Sequence, residues 1–315
     1  MLSVISLTAP IYLLIAVGFV AGRLGWMSGP DMRVLGRFVV QFCVPALLFR
    51  AITKQSIRNV VHVDYLMVYA AGSLLTLVSV MLFARRLRGA SMSLAAIQAL
   101  GAAGSNSLFI GYPLVLQLIG PAAGIALALC TLVENLLVLP LVLVLAEAGA
   151  GGRGALAVLR NIATGLLRNP MILAIAAGLL VSAFGLELHP VLDRAVGLAA
   201  AAAPPTALFV IGGSLVGLRL SGIRTDLAVV AVGKLILHPL CVLLLLMLLP
   251  IADPQMRAAA VLFAAVPMLS IYPVLAQRYG HERFAAAALL AATVSSFVTI
   301  SVVISLIPTG WSAAR

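Results

Sequence analysis

Two ionisable side chains lie deep inside apolar runs, where a charge is expensive and needs a partner or a task. Glu134 sits near the middle of the run at about 123–146. Lys234 falls about eight residues into the run at about 226–249, and His238 follows four residues later on the same helical face. One reading pairs Glu134 with Lys234 as a coupling site. Another makes Lys234 the counter-charge of an anionic substrate. The bland alternative is that each snorkels or lines a wet crevice without a role. A second group of candidates surrounds the stretch Gly104 to Gly120, an apolar run whose middle holds Gly104, Ser105, Asn106, Ser107, Gly111 and Pro113. Asn106 is the strongest single ligand, because its amide both donates and accepts. Thr131 and Asn135 share one face of the next run by their spacing of four.

These residues need a frame, and the composition supplies it. Of 315 residues, 63% are hydrophobic and 9% are charged. Soluble domains carry roughly a quarter charged residues, so this is an integral membrane protein. The net charge of +11 comes from arginines standing singly or in small groups between apolar runs. No basic face with interleaved aromatics is present, which argues against a nucleic-acid partner. Cys43, Cys130 and Cys241 lie far apart in apolar runs and read as small buried hydrophobes. There is no HExxH or GxSxG, and His62, His189, His238 and His281 are scattered, so no metal, cofactor or enzyme chemistry is called for. The apolar N-terminal run lacks a basic start and reads as a first span that stays, not as a cleaved signal.

Runs of spanning length fall at about 4–22, 34–52, 63–84, 93–118, 123–146, 170–187, 191–218, 226–249, 257–279 and 284–307. The expected fold is therefore all-α with ten transmembrane helices. Adding 160 to a residue number often lands on the same residue type: Pro10 and Pro170, Gly18 and Gly178, Gly25 and Gly185, Pro30 and Pro190. Pro45, Leu48 and Phe49 meet Pro205, Leu208 and Phe209; Tyr112, Pro113, Gln117 and Gly120 meet Tyr272, Pro273, Gln277 and Gly280. Composition bias does not align prolines. Residues 1–147 and 170–315 are thus expected to be five-helix repeats, joined by a cytoplasmic linker at 148–169. Five is odd, so the second repeat enters from the opposite side, and the repeat is inverted.

Loop charge sets the orientation. Arg23, Arg33, Arg37, Arg85, Arg86, Arg88, Arg153, Arg160, Arg168, Arg219, Arg224, Arg278 and Arg283 follow the odd-numbered spans. The other side holds Arg50, Lys54, Arg58, Arg194, Arg257 and Arg315. The positive-inside rule places the first set in the cytoplasm and both termini outside.

Proline lacks an N–H and clashes with the carbonyl four residues back, so spans four and nine are expected to be broken, at Pro113 and at Pro267 and Pro273. In lipid, freed backbone groups need protein or water, so paired breaks suggest a cavity at the midplane. The half-helices starting near Pro113 and Pro273 would aim their positive ends at it, an arrangement that suits an anion. Ser270 and Tyr272 at the second break join Asn106, Ser107, Asn135, Pro113 and Pro273 as candidate substrate ligands, with Lys234, Glu134 and His238 as charge and coupling groups.

Several segments, in order, resemble the auxin efflux carrier family. Phe42-Cys43-Val44-Pro45-Ala46-Leu47-Leu48-Phe49 is similar to its PALLF segment. Asn106 seven residues before Pro113, Asn135, Arg168-Asn169-Pro170, Pro205 to Gly213 with Leu215, and Lys234 to Pro239 add to the match. At this length, without a large central loop, the chain resembles the bacterial branch, which includes permeases for malonate and similar acids. The resemblance implies a fold related to bile acid sodium symporters: spans one, two, six and seven as scaffold, three to five and eight to ten as a transport domain, and the fourth and ninth crossing at the substrate. It implies elevator-type alternating access in the bacterial inner membrane. Some relatives carry a proline where this chain has Ser105. The expected function is secondary transport of a small organic anion such as a mono- or dicarboxylate. A coupling proton or sodium ion and a homodimer stay open, and a sodium-coupled symporter-like carrier, a passive channel or a membrane-embedded enzyme are the alternatives.

Overall fold

The computed structural model describes residues 2–55, 60–151, 155–217 and 224–307, and among them every regular element is helical. Arg58, Gly152, Arg153, Arg219 and Arg315 of the sequence reading lie outside the described residues. The helices are α1 (Leu2–Arg23), α2 (Gly29–Phe38), α3 (Val44–Thr53), α4 (Val63–Leu82), α5 (Met92–Ala103), α6 (Tyr112–Ile119), α7 (Ala122–Val133), α8 (Leu139–Ala150) and α9 (Ala155–Leu166). They continue as α10 (Pro170–Ala183), α11 (Pro190–Ala201), α12 (Ala203–Ser214), α13 (Arg224–Val232), α14 (His238–Leu248), α15 (Pro254–Ala265), α16 (Tyr272–Gln277) and α17 (Glu282–Leu306).

Among the described residues, seven helical runs are long and apolar enough to cross a bilayer. An eighth is reached if α9 and α10, bent by 56° at Leu166–Pro170, count as one. The chain is thus a multi-pass helical membrane protein. Three expected spans depart from a single straight rod. The fourth, Met92–Ile119, is interrupted at Gly104–Asn106. The sixth begins at Pro170, where Asn169 caps the new helix by accepting from Met171 N at 3.0 Å. The ninth is split into α15 and the six-residue α16.

Wide turns of the π type explain how four of the helices carry their prolines. Val39–Cys43, Ser107–Gly111, Glu134–Val138 and Gly233–Leu237 are π turns, and Pro45, Pro113, Pro140 and Pro239 each lie two residues beyond one. The residue just before each proline donates to the carbonyl five back, as Tyr112 N does to Ser107 O. The widened turn takes up the ring and the missing donor without stopping the helix. Two of these turns bear the deep charges, Glu134 on one and Lys234 on the other. Pro140 and Pro239 therefore set the backbone that presents the two charges.

Glycine permits the closest helix contacts. A Cβ on Gly18 would collide with the Phe209 carbonyl, and one on Gly212 with the Ile15 carbonyl, so α1 and α12 meet backbone to backbone. On the other side Gly178 of α10 rests against Ile52 and the Phe49 carbonyl of α3, at 3.1–3.3 Å from an added Cβ. Without a hydrophobic drive between helices in lipid, such small-residue contacts carry the association. The outward surface is apolar, with Phe184, Leu198, Met247 and Leu306 exposed, as a bilayer requires.

Candidate functional site

The fourth span stops at Ala103, leaves the helix through Gly104–Asn106, and restarts as the π turn Ser107–Gly111 leading into α6. The interruption thus precedes Pro113 by several residues. Pro113 lies in the first turn of α6, buried, and the widened turn before it keeps the helix continuous. What ends the first half-helix is the polar sequence Gly-Ser-Asn, whose side chains compete with the helical backbone. Asn106 caps the restarting helix by accepting from Phe109 N at 3.3 Å. In the ninth span the chain leaves the helix at Val266 and resumes at Tyr272, with Pro273 in the first turn.

The two breaks touch. Asn106 N donates to Pro267 O at 2.7 Å, and Asn106 Nδ2 donates to Ser270 Oγ at 2.7 Å. Freed backbone and side-chain groups of one break are satisfied by the other, as buried polar groups must be. Beside this junction lies a cavity of about 150 Å³. Its polar wall is Ser105, Asn106, Ser107, Thr131, Glu134, Asn135 and Ser270; Val40 and Met171 close it from the π turn after α2 and from α10.

Behind the cavity runs a buried polar network. Glu134 Oε1 accepts from Ser107 Oγ at 2.8 Å, from Ser105 N at 3.1 Å and from Tyr69 OH at 3.4 Å. Lys234 Nζ donates to Ser105 Oγ at 2.6 Å and to Ala264 O at 3.0 Å, and lies 2.7 Å from His238 Nδ1. His238 Nε2 faces Ser73 Oγ at 3.0 Å. Glu134 and Lys234 make no direct ion pair among the described residues; the Ser105 residue bridges them, its N–H toward the carboxylate and its hydroxyl toward the ammonium. Lys234 also ties the two breaks together, since Ser105 belongs to the first and Ala264 precedes the second.

The candidates therefore divide. Asn106, Ser107, Asn135, Ser270 and Glu134 converge on one cavity. Lys234 and His238 are fully buried one layer behind it. Tyr272 points away: its hydroxyl donates to Ile97 O at 3.0 Å and its ring packs on Gly101. Pro113 and Pro273 shape half-helices and line no part of the cavity. Cys130 is more than a small hydrophobe, for its Sγ lies 3.1 Å from Ser107 Oγ. Sequence reasoning left out Tyr69 and Ser73. Both are buried on α4, and Tyr69 stacks on Tyr65 with ring centroids 5.9 Å apart. The spacing of four between the two tyrosines was the available signal. Among the described residues no group of three His, Cys, Asp or Glu could hold a metal.

Helices interrupted around a small polar cavity within an apolar multi-pass chain define a membrane transporter. The chain belongs to the auxin efflux carrier family: the family model described as "Membrane transport protein" matches residues 3–304. It is a transporter, not an enzyme. It is 29% identical over 315 residues to a Rhizobium meliloti (strain 1021) protein named "Putative malonate transporter", which covers 98% of each chain. It is 23% identical, over 92% of each chain, to the "Uncharacterized transporter YfdV" of Escherichia coli (strain K12).

Proposed function

We propose that the protein is a secondary carrier for a small organic anion, a mono- or dicarboxylate, bound where the two breaks meet. The observation that carries this reading is the pair of hydrogen bonds that Asn106 donates, from its N–H to Pro267 O and from Nδ2 to Ser270 Oγ, beside a polar cavity of about 150 Å³. Drug-sized sites run to roughly 300–1,000 Å³, so this one suits a substrate of a few heavy atoms. The second amide hydrogen of Asn106 is a donor toward the cavity, a capped half-helix begins beside it, and Lys234 is the one cation of the buried network. The name of the Rhizobium relative makes malonate the first acid to test.

In this reading the helices form ten spans in an inverted five-plus-five repeat. Local geometry supports it. Gly25 and Gly185, and Gly120 and Gly280, are pairs 160 apart that all take positive φ, between 61° and 77°. The contact of Gly18 with Phe209 has its counterpart in that of Gly178 with Phe49, each residue shifted by 160. Every polar wall residue of the cavity comes from spans four, five and nine, while spans two and six offer only Val40 and Met171. A transport domain that takes its ligands along past an apolar scaffold wall would be built this way, and this supports an elevator motion. The termini are placed outside and the linker inside a bacterial inner membrane.

Purified protein in proteoliposomes, given malonate and a panel of mono- and dicarboxylates with pH and sodium varied separately, tests the reading. Saturable uptake of at least one acid is expected. Flux that rises linearly with concentration would indicate a channel, and no uptake or thermal shift with any acid would overturn the proposal.

A further inference from the structure

The arrangement of Glu134 contains an electrostatic conflict that the carrier reading does not resolve. All three of its hydrogen bonds fall on Oε1, from Ser107, Ser105 and Tyr69. Among the described residues the N–H and hydroxyl donors are all seated on Oε1 and none on Oε2, the Cys130 thiol being the carboxylate's remaining close neighbour, and Glu134 lines the cavity. A carboxylate oxygen therefore faces the space an anion would enter. Two negative charges at contact distance in a water-poor cavity repel strongly. Lys234 cannot cancel this at the point of contact. Its ammonium is held by Ser105, His238 and Ala264 in the layer behind, and it does not line the cavity.

A proton removes the conflict. We propose that Glu134 is the proton-carrying group of the transport cycle, so that each anion binds together with one proton held between Glu134 Oε2 and a substrate carboxylate. This deepens the carrier reading and rests on it. The proton comes from water on the loading side, turns Oε2 from a repelling acceptor into a hydrogen-bond donor, and returns to water when the anion leaves on the other side. Oε1 stays an acceptor throughout, so its three donors need not move. The other titratable groups around Glu134 are Tyr65 and Tyr69 from α4, Cys130 one turn earlier on α7, and Lys234 and His238 from the far side of Ser105. Asn135, Thr131 and Ser270 on the cavity wall carry no proton to exchange. Of the titratable groups, Glu134 is the one that lines the cavity.

The test is calorimetry of malonate binding in buffers of different ionisation enthalpy, which counts protons taken up per anion. Uptake approaching one proton is expected at pH values where free Glu134 is ionised. Because the complex holds a proton that the free carrier lacks, affinity weakens as pH rises, by up to about tenfold per pH unit. Glu134→Gln keeps an oxygen for the three donors and presents a permanent amide donor to the cavity. It is expected to bind without proton uptake and without that pH slope. In proteoliposomes it should still exchange labelled for unlabelled substrate, yet no longer accumulate it under a pH gradient. Wild-type binding with no proton uptake overturns the proposal. So does a Glu134→Gln variant that keeps the wild-type slope, which would place the linkage on Lys234 or His238. If the variant fails to fold, the wild-type proton count decides alone. A wild type that binds no organic acid at all refutes the carrier reading itself, a result distinct from binding without protons.

Discussion

The breaks of the fourth and ninth spans share Tyr-Pro, Gln and Gly in register, yet they are built differently. The first is three non-helical residues, after which a capped π turn and α6 resume the span. The second is twice as long, Val266–Ile271, and resumes only as the six-residue α16. The first carries Ser105, Asn106 and Ser107, all at most 3% exposed and all in the polar network. The second contributes the Pro267 carbonyl and Ser270, and is otherwise apolar with Met268, Leu269 and Ile271. Matched sequence thus places two breaks at corresponding depths, while the polar residues that differ divide the work. In the proposed site one break would supply the ligands, and the other supplies wall and the acceptors that hold Asn106.

This asymmetry can be broken from its centre outward. Lys234 is the side chain bonded to both breaks, and its removal leaves Glu134 without its one buried counter-charge. Lys234→Met should abolish anion binding and lower stability by about 3–5 kcal/mol, read by thermal shift and by uptake. A variant that binds acids as the parent does would make Lys234 purely structural. Asn106→Ala removes a cap and the bond to Ser270 together and should weaken affinity by about 1–3 kcal/mol. Ser270→Ala removes one acceptor on the leaner side and should cost about 0.5–1.5 kcal/mol in the same binding assay. If Ser270→Ala proves the more severe of the two, the division between the breaks is reversed. The smallest effect is expected from Pro113→Ala. The interruption lies at Gly104–Asn106, so the break survives the loss of the ring, and uptake should change less than twofold.

Much of this was legible in the sequence, for identifiable reasons. Membrane class followed from the scarcity of charge, and the paired breaks followed from prolines aligned at a shift of 160. Asn106, Ser107, Asn135, Ser270 and Glu134 stand out because polar groups are rare in apolar runs, and the structure brings them around one cavity. The position of the first break was misread because proline was taken as its cause. A π turn two residues before a proline can absorb it and keep the helix going, as the turn before Pro113 does. The direction of Tyr272 was not legible for a related reason: a tyrosine beside a break can point toward a cavity or away from it, and its match to Tyr112 does not say which. The role of Ser105 as the bridge between Glu134 and Lys234 needed coordinates, since the three residues come from separate runs.

The most direct test of the central claim, that the anion sits at the junction of the breaks, is substrate protection of a thiol placed there. Ser270 is half-buried on the cavity wall and can be replaced by cysteine after Cys43, Cys130 and Cys241 are removed. The rate of Ser270→Cys alkylation by a small permeant reagent would be measured at increasing malonate, alongside binding by thermal shift. The account predicts that alkylation slows in step with occupancy and that protection is lost in Asn106→Ala. Malonate that binds the protein but leaves the alkylation rate unchanged would contradict it.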